Sequence, residues 1–481
     1  MRVETYPRQV RGSTGCPCEP TGLCNPKNHQ GWKPLIDTIP YKNSYPCIDA
    51  PSLYLFFRTV LASSELADLV TSLSVYGHIH CESVWASPEQ TELSIQEEKL
   101  VRKLLRDGPR LWEDRWIHEF DKGTPDVYAA ALILCLPNLE QLRFDINCES
   151  PSFLVETLLR NSIFVPSTTP GLSKLRTVEF GIPVSGRLGE GNSAGPRYAR
   201  LDALLSFFYL PSIRRLTLVM PDQSDDHSFS WPAEPPIASG LETLELSMTH
   251  FPPSKLRHLL EVCTNLKSLK YDFCVSCSKP LIGFLDLQQL ERSLKRVKDT
   301  LEAFHIRIAV VDIPGDSFRD THSGLISFRE FPKLRILHVP LVALTGQKAG
   351  GNTKSIVRAL PKCLEHLQLN DDEYIHRNTL CIGHLWEDTF DDAEVVQVIS
   401  DYVATCRHAT PNLKTLTLLL HEDQSHDRRG RNIRDVNAME EALAPLCDAE
   451  GIKLTILKDS VRPGRWEVGE LEHYEPFWFT L

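Results

Sequence analysis

A few stretches of this 481-residue chain carry residue types that do chemistry, and their spacing decides each case. Gly346 to Ser355 reads GQKAGGNTKS, and a phosphate-cradling loop needs G-x-x-x-x-G-K-[ST] between a strand and a helix. Gly346 and Gly351 have that separation, but Asn352 and Thr353 stand where Lys and Ser/Thr must be. Lys354 comes two residues late, so it does not reach the place over the phosphates. His421 to His426, HEDQSH, imitates a zinc-protease helix with its histidines five apart rather than four. On a helix that offset turns the two imidazoles about 140° apart, whereas HExxH brings both to one face. Cys274-x-x-Cys277 has no second CxxC or HxxxH at metal-site spacing. Cys16, Cys18 and Cys24 form a loose cluster, as do His376, Cys381 and His384, and neither has ligand spacing. No G-x-S-x-G or catalytic Cys/His signature is present. The expectation is a non-enzymatic protein with no cofactor and no metal; a nucleotide-dependent regulator or enzyme built on 346–355 is the distant alternative.

The elements that would position any site are set by a recurring apolar triad. Gly240 to Phe273 contains Leu241, Leu244, Leu246 and then Leu266, Leu269, Tyr271, a shift of 25 residues at each position. Between them Pro252 and Pro253 open a helix-type pattern, with Leu256, Leu259, Leu260 and Cys263 on one face. The same triad recurs as Leu139, Leu142, Phe144; Leu175, Val178, Phe180; and Ile213, Leu216, Leu218. It continues as Leu301, Phe304, Ile306; Leu334, Leu337, Val339; Leu364, Leu367, Leu369; and Leu413, Leu416, Leu418. L-x-x-L-x-L alternating with helices is the signature of a leucine-rich repeat, whose units bury their apolar faces only by stacking. Prolines 137, 211, 332, 361 and 411 stand just before the first slot, where a residue without an N–H ends the helix.

The predicted fold is therefore α/β: a leucine-rich-repeat solenoid with parallel strands on the concave face, helices on the convex face and a helical N-terminal cap. Residues 1–50 read as an irregular lead-in. Residues 51–125 read as the cap and first strand, 126–460 as the solenoid, and 461–481 as an aromatic cap or tail. Within the cap, a helix from Pro51 leads to a first strand with Leu69, Leu73 and Val75 as its slots. A second helix, Glu92 to Asp107, turns Leu93, Leu100 and Leu104 inward. Loops inserted at about 183–196, 221–239, 312–327, 371–390 and 421–434 are expected on the rims, where binding often occurs.

Alternation along each strand turns the repeat into a surface map. The residues between and after the leucines are Arg143, Asp145, Glu179, Thr217, Glu245, Ser247, Lys270, Asp272, His305, Arg307, His338, Gln368, Asn370 and Thr417. This mixed strip suits a protein partner better than nucleic acid or lipid. A net charge of −11 argues the same way against nucleic acid. The longest apolar run, Ala129 to Leu136, is too short to cross a membrane. The N-terminus has no apolar leader, so a cytoplasmic or nuclear protein is expected. On this map Leu269→Asp unfolds the array and Lys270→Asp is tolerated.

LYLFFRTVLASSELADLVTSLSV (Leu53 to Val75), followed by LPNLEQLRF and TPNLKTLTL, resembles the leucine-rich region of fungal F-box and leucine-rich-repeat proteins. The resemblance covers about residues 51–460. It implies that the repeats hold a substrate, while an N-terminal F-box docks on the adaptor of a cullin ubiquitin ligase. The F-box opens on a Leu-Pro pair and apolar helices. Here Ile39-Pro40 is followed by YKNSYPCIDAP, and Pro46 and Pro51 interrupt the helix, so the adaptor-docking element is unmatched. The leading reading is a protein-interaction scaffold, and the alternative is a ligase substrate-recognition subunit.

Overall fold

A computed structural model describes residues 2–4, 50–75, 94–105, 113–121, 125–144, 153–164, 170–181, 201–219, 229–249, 251–276, 285–311, 322–346, 354–370, 374–376, 392–421 and 435–459. These residues form an α/β structure around one open, all-parallel sheet of thirteen strands. The strands are β1 (Arg2–Glu4), β2 (Ser72–Val75), β3 (Gln141–Phe144), β4 (Thr177–Phe180), β5 (Arg215–Val219), β6 (Thr243–Thr249) and β7 (Ser268–Ser276). They continue as β8 (Leu285–Asp286), β9 (Ala303–Val311), β10 (His322–Ser323), β11 (Ile336–Pro340), β12 (His366–Asn370), β13 (Tyr374–His376), β14 (Thr415–His421) and β15 (Lys453–Asp459). The order across the sheet is β1-β2-β3-β4-β5-β6-β7-β9-β11-β12-β14-β15, with β13 beside β9. The short β8 and β10 pair separately, in parallel.

Along the main path from β1 to β15 sequence order equals spatial order, because each unit is a strand and a return segment, most of them helical, that sets the next strand beside the last; β13, beside β9, departs from it. All nine predicted triads fall in register. Leu142 faces Val178, Val178 faces Leu216, Leu216 faces Leu244, Leu244 faces Leu269 and Leu269 faces Phe304. The ladder runs on through Leu337, Leu367 and Leu416. Before each strand the backbone repeats one device. The carbonyl of the residue after the first slot accepts from two successive N–H groups of the next unit, as Glu140 does from Arg176 (2.8 Å) and Thr177 (3.0 Å). That pairing leaves few backbone groups unsatisfied where chain enters sheet.

The triad residues and the inner faces of the helices form one contiguous core from Phe57 to Ile452. Helix Pro253–Val262 starts at the proline pair and buries Leu256, Leu259 and Leu260, as its pattern predicts. Tyr271 fills a third slot because its hydroxyl finds the Phe251 carbonyl, so the ring is buried without an orphan donor. Phe144 and Phe180, in successive third slots, stack at 5.1 Å.

The structure corrects several expectations. The strand that follows the cap's first helices is β2, and its first slot is Val70, 3% exposed; Leu69 ends helix Ser64–Leu69 and is 53% exposed. The helix from Pro51 is two, Ala50–Ala62 and Ser64–Leu69, because the Ser63 side chain caps the second by accepting from the Leu66 N–H. Among the described side chains of helix Ile95–Leu105 Val101 is buried, which turns Leu100 about 100° away into solvent; Leu93 and the Leu104 side chain lie outside the described residues. Gly346 follows a short helix, Leu341–Thr345, not a strand, and its φ of +86° marks it as that helix's C-terminal glycine. Cys274 and His421 lie within β7 and β14, so neither belongs to a redox-type helix start or a zinc-type helix. Part of the 221–239 insertion packs instead on the helices: Phe229 stacks on His258 at 5.0 Å and Trp231 meets Phe208 edge-on at 5.6 Å. The inserted segments at 183–196 and 377–390 and the tail 461–481 lie outside the described residues.

Candidate protein-binding surface

On the face of the sheet opposite the leucines, the residues between the second and third slots stand in one register row. It runs Arg143, Glu179, Thr217, Glu245, Lys270, His305, His338, Gln368, Thr417. The ladder extends it at both ends, to Ser74 beside Arg143 and Thr455 beside Thr417. Ser74 stands between slots Leu73 and Val75 and was open to the same reading, whereas Thr455 is placed by β15.

The centre of the row is a connected polar cluster. Glu245 and Lys270 are cross-strand neighbours joined at 2.6 Å, and Lys270 lies 3.5 Å from Asp272. The Ser247 hydroxyl donates to Glu245 Oε1 at 3.1 Å. Ser247 stands two residues after Glu245 and so on the same face of β6, and the β6/β7 register shifts between Leu246 and Thr249. Burial would raise the Glu245 carboxyl, but the charge and hydrogen bond of Lys270, the Ser247 hydroxyl and the charge of Arg215 outweigh it and hold it low. Burial likewise opposes the Lys270 charge, and Asp272 and Glu245 overcome it, raising the ammonium pKa. Arg307 sits opposite Asp272 on β9. At the N-terminal end Arg143 Nε bonds Glu179 at 3.0 Å. Thr217 and Asn370 are buried and offer little surface, and Asp145 lies outside the described residues.

Next to the cluster, the His305 and His338 rings lie 5.0 Å apart, tilted by 48°. His366 follows on β12 and bonds the Thr415 hydroxyl at 2.8 Å. Burial, then His366 and Lys270, push His338 down to about 3. Burial, then His338, Lys270 and Arg307, hold His305 well below the usual imidazole range. An unfolded imidazole takes a proton near 6.5 that the folded state refuses. The stability this confers is whole above pH 6.5 and is lost as pH falls from there toward about 3. Glu365, held near 2 by Arg335 and Lys414, adds acid sensitivity in the same direction below about 4.5. Thermal melts from about pH 7 to about pH 4 should show a falling Tm, with about 1–3 kcal/mol lost. The fall should be shallower in His338→Gln, and a pH-independent Tm would count against this packing.

The sequence map missed a second feature. Every one of the nine copies has a charged residue directly after its first slot: Glu140, Arg176, Arg214, Glu242, Lys267, Glu302, Arg335, Glu365 and Lys414. They line the leading edge of the sheet and pair between neighbouring units, Arg214 to Glu242 at 3.0 Å and Lys267 to Glu242 at 3.4 Å. Arg335 and Lys414 both hold Glu365. Exposed pairs of this kind are worth about 0–1 kcal/mol each, so the ladder favours one alignment of units more than it adds stability.

Among the described residues no cluster of three or more His, Cys, Asp or Glu could hold a metal ion, and no helix is long and apolar enough to cross a membrane. Cys135, Cys263, Cys406 and Cys447 are unpaired thiols in or beside the core, and burial pushes Cys135 up to about 12 and Cys447 up to about 11. Such thiols are poor nucleophiles.

No protein-family model matches the chain, and no curated protein matches it. Among solved structures, it is similar to a chain of the crystal structure of the Rad7 and Elc1 complex in yeast. The two share 12% identity over 65% of this chain and 78% of that one, with a TM-score of 0.19.

Proposed function

We propose that this chain is a non-enzymatic scaffold: a curved leucine-rich-repeat array, with the polar face of the sheet concave, that binds a protein partner along that face and its rims. The observation that supports this reading most is the unbroken register row of mixed polar side chains from Ser74 to Thr455. A row of fixed spacing on a rigid sheet offers many weak, aligned contacts at little ordering cost, which suits an extended protein surface. Thr417→Trp fills the row without touching the core and should weaken partner capture about tenfold or more. Arg257→Ala, on the exposed side of helix Pro253–Val262, should leave it unchanged. Equal capture by both variants would remove the proposal.

A narrower reading, as the substrate-recognition subunit of a cullin ubiquitin ligase, rests on the family resemblance and on one surface. Helices Ala50–Ala62 and Ile95–Leu105 are tied by Arg58 and Glu97, and they expose Leu55 and Ile95, the latter at 73%. Exposed apolar side chains on paired helices suit an adaptor. Purification from cells should then bring down an adaptor and a cullin, and Leu55→Asp/Ile95→Asp should lose both. Their reproducible absence from the wild-type sample would eliminate this role.

A further inference from the structure

The sheet stops at β15 on an open unit. β15 pairs with β14 over all seven of its residues, and among the described residues no strand lies on its other side. The Lys453 N–H donates to the Lys414 carbonyl at 2.9 Å, so the alternation of a parallel ladder turns the N–H and C=O groups of Leu454 and Ile456 outward. Leu454 and Ile456 continue the apolar ladder of Leu416 and Leu418, which are 0% and 2% exposed, yet both are only partly buried. The helix layer is open at the same place. Helix Val436–Ala449 buries a narrow stripe of Met439, Leu443 and Cys447, and its adjoining flank of Ala442, Leu446 and Ala449 is exposed, Leu446 at 42%. An unpaired strand edge beside a bare apolar helix flank is a template for another chain.

We infer that the occupant is a second copy of this chain, related by a two-fold axis at Ile456, so that β15 pairs antiparallel with β15 of the other copy. The strand is self-complementary in that register. Ile456 stands opposite Ile456, Leu454 opposite Lys458, Thr455 opposite Leu457 and Lys453 opposite Asp459, so the whole strand overlaps and residues of opposite charge meet at both ends. Leu454 and Ile456, whose backbone groups point outward, then occupy the hydrogen-bonded pairs of the antiparallel ladder. A two-fold axis normal to the sheet also keeps the helices of both copies on one side. It turns the flanks with Ala442, Leu446 and Ala449 toward each other, and the small alanines allow the two helices to approach closely. Both polar rows then face the same way, with Thr455 of one copy beside Leu457 of the other. The dimer does not depend on what the polar face binds.

The test is size-exclusion chromatography with light scattering on the full-length protein over a concentration series. Wild type should run as a concentration-dependent dimer. Lys453→Asp sets acid against acid at both ends of the paired strands, and Asp459→Lys sets base against base. Each variant alone should therefore dimerise about tenfold or more weakly. Mixed in equal amounts the two should recover the dimer, because each supplies the charge that the other has lost. Leu446→Glu, on the helix flank, should also weaken the dimer, and Arg257→Gln should leave it unchanged, with circular dichroism and Tm confirming that each variant is folded. A dimer that both charge variants retain, or a mixture of the two that stays monomeric, would overturn the inference. So would a monomeric wild type, which would mean that residues 460–481 of the same chain or a different protein cover the edge.

Discussion

Leu269→Asp should abolish cooperative folding. Leu269 is 1% exposed and lies in register between Leu244 and Phe304, so the substitution puts a carboxylate where three stacked units meet. Burying an unpaired charge, or forcing it to protonate, costs on the order of 4–5 kcal/mol or more. Whole domains have only about 5–15 kcal/mol to lose. In an array held by nearest-neighbour interfaces the damage also uncouples the units on either side. Far-UV circular dichroism should show loss of the cooperative melt, with Leu269→Ala in between at about 2–5 kcal/mol. A wild-type melt for Leu269→Asp would mean that the triads do not form the core.

Lys270→Asp is the second large effect, and here the structure reverses the sequence-based expectation of tolerance. The strand pattern correctly places residue 270 on the face away from the leucines, but that face is not simply solvated. Lys270 is half-buried, and its ammonium lies between Glu245 at 2.6 Å and Asp272 at 3.5 Å. Aspartate there gathers three carboxylates with reduced access to water, which costs about 2–4 kcal/mol. Lys270→Met, which keeps the stem but not the charge, should cost less. The swap Glu245→Lys/Lys270→Glu should recover part of the loss. Chemical denaturation of the four proteins measures all of this. A Lys270→Asp variant as stable as wild type would show that the cluster is screened by solvent.

What the sequence made legible follows from which forces are local. The leucine triads are, because each strand must turn alternate residues to the core, and nine copies of one pattern can only line up side by side. Val70 was hidden because helix and strand periods overlap at the end of Ser64–Leu69, and only the ladder decides which of Leu69 and Val70 faces inward. The leading-edge charges Glu140 to Lys414 were in plain view, one after each first slot, yet their mix of signs has meaning only once neighbouring units are adjacent. The Glu245–Lys270–Asp272 cluster and the His305–His338 pair could not be read from spacing. Their members are 25 and 33 residues apart, and what matters is cross-strand distance and burial. The 25-residue shift that relates the two triads does not hold past Leu246, where the β6/β7 register shifts.

The most direct test is site-specific photo-crosslinking in cells, with the probe placed at Gln368 or Thr417 in the polar row and at Arg257 on the helix side. One protein should be crosslinked reproducibly from both polar-row positions and not from Arg257. Crosslinks to that protein from Arg257, with none from Gln368 or Thr417, would contradict binding along the polar face.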